Sequence, residues 1–304
     1  MKEATICFLR VPRKKVRVRT GQDHDSGLIL FSFMETRKPL LSLIRHPETV
    51  ANVSNILQGS TDSPLSVHGM SQLEALITAI RNARTDGNIP RKAISPLLNP
   101  SSPPSHIFTS PLNRAFLLAD ALFCVFEETS QDKLHHTKPV SIIFEKRQGL
   151  AEKDFGKNEC TRRGIHVDGF PKGFGPSETN DAWVSRVMQE GNRILALMSK
   201  DDSAASHIIV VTHGLWIGTF CRLFLKETDK IPFLGNTAIL SLQGHLYEAV
   251  SPSPTMGLRL SVVQQNDVSH LSGLKRQRGG IGSSASDKRQ KTLDSIWRVP
   301  KKGN

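Results

Sequence analysis

Cysteine is scarce in this sequence. It occurs four times in 304 residues, at positions 7, 124, 160 and 221, and never as a C-x-x-C pair. Neither a structural zinc site nor a disulfide framework is expected, and a reducing compartment is. Long apolar runs are also missing. The clean ones stop well short of the roughly 18 residues a membrane span needs. No apolar h-region follows the first charges, so no secretory signal is read. The Arg/Lys-rich stretch 10–19 has no serine before Ser26 and no alternating apolar face, which speaks against a mitochondrial presequence. Acidic residues are short only at the ends. Residues 1–38 hold nine Lys/Arg against four Asp/Glu, and residues 271–304 hold nine against two. Residues 39–270 balance at 22 of each. The net charge of +12 therefore sits in two tails, which argues against a basic, nucleic-acid-binding core.

What is present is an alternation of strands and helices. An apolar strand runs from Leu40 to Arg45, and Ser66 is placed to cap a helix through about Arg84. Residues 86–105 carry five prolines in twenty and are read as a mobile loop insertion. "HIFTS" (106–110) is a strand, and 111–128 a helix with proline at its first position. A strand at 140–145 follows, then a helix from about Glu178 to Lys200, a strand at 207–211, a helix at 215–225, and strands near 237–243 and 258–264. This order predicts a three-layer α/β/α domain over 39–271 with a central, mainly parallel sheet. Residues 1–38 are read as an irregular basic extension, and 272–304 as a disordered basic tail.

Two strands end alike: "LLSLIRH" on His46 and "HIIVVTHG" on His213. Ligands of open α/β sheets bind at the carboxyl ends of strands, so two such histidines can face each other across a crevice. Arg45 stands beside the first. "TSPLNRA" places Arg114 in the first turn of a helix directly after a strand, where exposed N–H groups and the helix dipole already favour anions. "GLAEKDFGKNE" adds Glu152 in a glycine-flanked loop.

Together these stretches resemble the histidine phosphatase superfamily, also called phosphoglycerate mutase-like. The family's R-H-G-E-T with a following asparagine is matched by "RHPETVAN". Its Q-G-x-x-D-x-P-L-[ST]-x-x-G run is matched by "QGSTDSPLSVHG". "SPLNRA", "LAEKDFGKNEC", "VVTHG", "GNTAI" and "NDVSHL" match further elements, several in the manner of its broad-specificity, fungal-type phosphatases. The resemblance spans roughly 40–271 and implies a phosphoglycerate mutase-like fold. It departs at Pro47 and Cys160, where the family has glycine.

The resemblance implies a phosphoric monoester hydrolase. His46 would be the nucleophile and form a phosphohistidine, with its far nitrogen donating to a backbone carbonyl to fix the tautomer. Arg45, Arg114 and His213 would hold the phosphoryl oxygens, Asn52 would add a hydrogen bond, and Glu152 would serve as general acid and then base. Gln58, Gly59 and Glu178 are candidates for the substrate entrance, with helix capping around Ser177 as the bland alternative for the last. Neither metal nor other cofactor is expected. Two alternatives remain: a weak or inactive member used as a binding scaffold, and a phosphoglycerate mutase-type phosphotransferase. The short spacing between Glu152 and "GPSET" disfavours the second. Pro47, with φ held near −65°, is expected to start a helical turn and leave the pocket intact.

The tail holds two overlapping patterns. The basic stretches "KR" at 275–276 and "KRQK" at 288–291 resemble a bipartite nuclear localisation signal read by an import receptor. "QKTLDSIW" resembles the peptide that binds the sliding clamp, proliferating cell nuclear antigen (PCNA), with Gln290, Leu293, Ile296 and Trp297 as its contacts. A tail acting through charge alone is the rival reading. The expected location is cytoplasmic, nuclear or both, with a small phosphorylated substrate and no membrane partner.

Overall fold

The computed structural model describes residues 38–85, 96–98, 103–130, 141–199, 207–226, 234–249 and 255–275. The clamp-peptide residues Gln290, Leu293, Ile296 and Trp297, the second basic cluster, residues 1–37 and most of the proline-rich stretch lie outside this set.

The elements in chain order are β1 (Leu40–Arg45), α1 (Val50–Val53), α2 (Val67–Thr85), β2 (Pro104–Thr109), α3 (Asn113–Ser130), β3 (Ile143–Lys146), β4 (Thr161–Arg162), β5 (Ile165–His166), α4 (Asn180–Met198), β6 (His207–Thr212), α5 (Gly214–Phe224), β7 (Ile239–Ala249) and β8 (Thr255–Asp267). The main sheet has the order β3-β2-β6-β1-β7-β8. β1, β2, β3 and β6 are parallel to their neighbours in this set, while β7 and β8 add an antiparallel hairpin beyond β1. β4 and β5 form a separate small hairpin.

Alternate residues of the central strands supply two cores, as strands buried on both faces must. Leu41, Leu43, Ile208 and Val210 join Val187, Ile194 and Phe220 of α4 and α5. Ile44, Ile107, Ile209 and Val211 join Leu73, Ile77, Leu118 and Leu122 of α2 and α3. This is the expected three-layer arrangement. No helix among the described residues is long and apolar enough to cross a membrane.

Several local expectations need correction. Pro111 is not the first helical residue; α3 starts at Asn113. The chain turns first, with Leu112 N–H donating to Ser110 Oγ, and the helix's leading amides at 113 and 114 reach Asp62. Helix α4 starts two residues later than expected, because Thr179 caps it by accepting from Ala182 N–H. Ser177 donates to the carbonyl of Phe155 instead. The proline-rich stretch is not all a mobile loop. Residues Pro96–Leu98 form a 3₁₀ turn with Leu97 buried in the α2/α3 core, and β2 already begins at Pro104. Ser66 caps α2 as expected, accepting from Gly69 N–H at 2.9 Å.

Candidate functional site

The site is built where β1 and β6 end side by side. Their register pairs Arg45 with Thr212, so His46 and His213 leave adjacent strands at the same level. Their ring centroids are 5.2 Å apart, tilted by 56°. Both are buried, His46 to 4% exposure and His213 to 0%. His46 Nδ1 lies 2.7 Å from the carbonyl of Pro47. A carbonyl can only accept, so Nδ1 carries the hydrogen and Nε2 keeps its lone pair. The expected tautomer-fixing carbonyl is thus supplied by the residue that departs from the family pattern. Pro47 does not start a helical turn, however. Helix α1 begins at Val50, behind a capping box in which Thr49 and Asn52 exchange side-chain-to-backbone hydrogen bonds. The reciprocal side-chain-to-backbone bonds of that box, not the proline, start the helical turn.

His213 Nε2 sits 2.8 Å from Ser110 Oγ. That hydroxyl accepts from Leu112 N–H and can still donate its own proton to Nε2. In that tautomer Nδ1 of His213 bears the ring hydrogen, and it has no partner among the described residues. A buried donor without an acceptor is costly unless a ligand supplies one. Arg114 makes the same point. It is 1% exposed; its Nη1 donates to Thr61 O and Asp62 Oδ1, its Nη2 to Gly59 O, and its buried Nε has no partner among the described residues. Arg45 Nη1 donates to Leu234 O at 2.8 Å. Gly214 opens α5 beside it, where an added Cβ would lie only 3.4 Å from Arg45 Nε.

Electrostatics favour a bound anion and a neutral nucleophile. Burial, then the guanidinium charges of Arg114 and Arg45, push the His46 pKa well below the usual histidine value. Burial, Arg114 and His46 do the same to His213. Burial raises the Glu152 carboxyl above its usual range, against the opposing pull of the Lys153 amide and of Arg114. The carboxylate faces Arg45 and Arg114 closely enough to act on both. A protonatable acid, an uncharged imidazole and two fixed cations around one space can transfer a phosphoryl group. Among the described residues no cluster of three or more His, Cys, Asp or Glu is arranged to hold a metal ion.

The other expected site residues take different places. Asn52 Oδ1 accepts from Thr49 N–H and, at 3.4 Å, from Asn236 Nδ2, leaving its amide nitrogen as the atom able to donate to a ligand. Gln58 Nε2 donates to Thr49 Oγ1. Gly59 is a packing glycine. A Cβ there would fall 2.3 Å from Glu159 Oε1 and 2.4 Å from Lys153 O, while its carbonyl accepts from Arg114. Glu178 pairs through both carboxylate oxygens with Arg186, at 2.9 and 2.7 Å.

Four residues that hold the site together were not picked out by sequence reasoning. Asp62 binds Arg114 and caps α3. Buried Glu159 accepts from Ser60, Thr61 and Phe155 N–H, fixing the turn that carries Gly59. Ser110 orients His213. Asn236 donates to the His46 carbonyl at 3.0 Å. Asp62, Ser110 and Glu159 stand inside the quoted motif stretches, so the signal was there; Asn236 stands in "GNTAI", which by itself names no role.

The histidine phosphatase superfamily (branch 1) model matches residues 41–99 of this chain. A probable phosphatase of Schizosaccharomyces pombe is 25% identical over 258 residues, covering 83% of this chain and 77% of the yeast protein. Among solved structures, a phosphoglycerate mutase from Bacillus anthracis superposes with a TM-score of 0.50 at 18% identity, over 78% of this chain and 98% of that one. A mycobacterial glucosyl-3-phosphoglycerate phosphatase in complex with VO₃ does so with a TM-score of 0.50 at 19% identity, over 75% and 98%. Those structures speak for a shared fold.

Proposed function

We propose that this chain is a member of the histidine phosphatase superfamily and a phosphomonoesterase working through a phosphohistidine at His46. The observation that carries the reading is the pair of facing buried imidazoles, one with a lone pair aimed away from its Pro47 anchor, set between Arg45 and Arg114. His46 Nε2 attacks phosphorus, forming the P–N bond as the P–O bond to the leaving group breaks. Glu152 gives its proton to the leaving oxygen. Water then attacks, Glu152 takes a proton from it, and the P–N bond breaks to release inorganic phosphate. Arg45, Arg114 and His213 Nδ1–H meet the equatorial oxygens in both steps, the positioning and charge neutralisation this chemistry depends on. The phosphatase named in the yeast relative and the VO₃ bound by the mycobacterial enzyme support the same reading.

The test is hydrolysis of p-nitrophenyl phosphate and a panel of alkyl and sugar phosphates, with trapping of the phosphoenzyme by a denaturing alkaline quench. Wild type should turn over and yield an acid-labile, base-stable phosphoprotein that His46→Ala lacks. A wild type no more active than His46→Ala would overturn the reading in favour of the binding scaffold. Conversion of 3-phosphoglycerate to its 2-isomer faster than hydrolysis would return the mutase.

A further inference from the structure

The acid/base residue sits on a stretch that is not paired into a sheet among the described residues. Gly149, Leu150, Ala151 and Glu152 have consecutive carbonyls, and each accepts from a side chain. Trp216 Nε1 reaches Gly149 at 2.8 Å and Thr212 Oγ1 reaches Leu150 at 2.7 Å. The last two go to one residue. Arg186 Nη1 donates to Ala151 O at 2.9 Å and Nη2 to Glu152 O at 3.2 Å. The remaining edge of that guanidinium is filled by Glu178, and its face lies 4.8 Å from the Trp183 ring. Trp183 is itself fixed by a hydrogen bond from Nε1 to Thr219.

We propose that Arg186 is a positioning residue for the acid/base step, clamping the main chain at Ala151 and Glu152 so that the Glu152 carboxyl meets the leaving-group oxygen. The planar fork matters here. It spans two carbonyls on one side and a carboxylate on the other, while α4 supplies a rigid base. A lysine keeps the charge but presents a single point, and cannot hold both carbonyls and Glu178 at once. The glutamate would then be free to shift by an ångström or so, and misplacement on that scale costs on the order of a hundredfold in rate. The charged Glu178 completes the device by holding the guanidinium in plane, which gives that residue a role away from the substrate entrance.

This inference rests on the phosphatase reading, and leaving-group dependence separates the two. An alkyl phosphate needs the proton from Glu152; 2,4-dinitrophenyl phosphate scarcely does. Phosphoenzyme formation is followed in single turnover for both substrates in wild type, Arg186→Lys and Glu178→Gln, with orthovanadate affinity measured alongside. Expected for Arg186→Lys is a loss of about a hundredfold with the alkyl phosphate, less than about threefold with the dinitrophenyl ester, and unchanged vanadate affinity. Glu178→Gln, the milder change, should show the same split at about tenfold. Equal losses on both substrates, or vanadate affinity falling in step, would mean a merely structural role and overturn the proposal, as would no loss at all. If Arg186→Lys does not fold, Glu178→Gln decides on the same criteria. A wild type that forms no phosphoenzyme from either ester fails the phosphatase reading first, and the inference falls with it.

Discussion

Asp62 is a carboxylate that touches no substrate in the proposed mechanism, yet replacing it should be felt in both stability and ligand binding. Its Oδ1 accepts from Arg114 Nη1 at 3.3 Å, and its two oxygens take the amides of Asn113 and Arg114 at the head of α3. Arg114 is 1% exposed and Asp62 is 30% exposed at the side chain. Asp62→Asn keeps one carbonyl oxygen and the shape while removing the charge. Losing a hydrogen bond between charged groups costs about 1.5–3 kcal/mol, and losing a negative charge at a helix N-terminus a further 0.3–1 or so. Partial exposure of Asp62 and the retained oxygen bring the expected total to about 2–3 kcal/mol. For a domain of this size that lowers Tm by roughly 5–10 °C. Vanadate should then bind the variant about fivefold tighter than wild type, near 1 kcal/mol, because the anion takes over the neutralisation of Arg114 that Asp62 supplied. Thermal unfolding with and without saturating orthovanadate reads both effects. A Tm drop under 2 °C, or equal stabilisation of both proteins by vanadate, would refute the view that Asp62 and the phosphoryl group compete for one cation.

Three further outcomes are expected. Since burial and the flanking guanidiniums push the His46 pKa well below its usual value, while burial raises that of Glu152, kcat/KM for alkyl phosphates should show no histidine ionisation near 6.5 and should fall with rising pH as Glu152 ionises; a rate that climbs with unit slope around 6.5 contradicts this. Pro47→Gly adds one backbone donor near His46 but leaves the 2.7 Å carbonyl contact in place, so activity should rise less than about a hundredfold, the rate equivalent of nearly 3 kcal/mol; a larger gain would show that the proline cripples the natural site. Cys160 adopts φ +56° while its thiol is buried beside Ala51 and Ile56. Cys160→Gly should be more stable than Cys160→Ala by about 1 kcal/mol in denaturant titration, since both lose the thiol and only glycine relieves the left-handed backbone; alanine equal to or above glycine would remove strain from the account.

The parts of this molecule legible in its sequence are those where a local rule and a chemical need coincide. Apolar runs that stop on His46 and His213 announced both strand ends, and the Arg114 position followed from a strand-to-helix turn. The hairpin β7/β8 runs past the expected strands at 237–243 and 258–264, to Ala249 and from Thr255, because its two strands go on pairing with each other beyond Gln243, the last β7 partner of β1. The props were not legible. Glu159 would ordinarily be solvated, and only the fold shows three amides converging on it. Glu178 was read as a candidate for the substrate entrance and Arg186 was not singled out, because their pairing shows only when α4 is laid against the 149–152 backbone. Pairings of this kind depend on which face of which helix meets the loop, and no period in the sequence encodes that.

The first strand of the sheet lies deep inside it. β1 has β6 on one side and β7 on the other, with Leu40 opposite both His207 and Gln243. Its two hydrogen-bonding edges therefore wait for segments that come more than 160 residues later in the chain. A nascent polypeptide leaving the ribosome must carry LLSLIR with both edges open through most of synthesis, a hazard for mispairing. Contacts of such long range also make for slow folding. The nucleophile rides on the end of that strand, so the order of assembly has a chemical consequence. No reactive imidazole with its full ring of cations exists on a half-made chain, and the domain becomes chemically competent only in the same late event that closes its sheet.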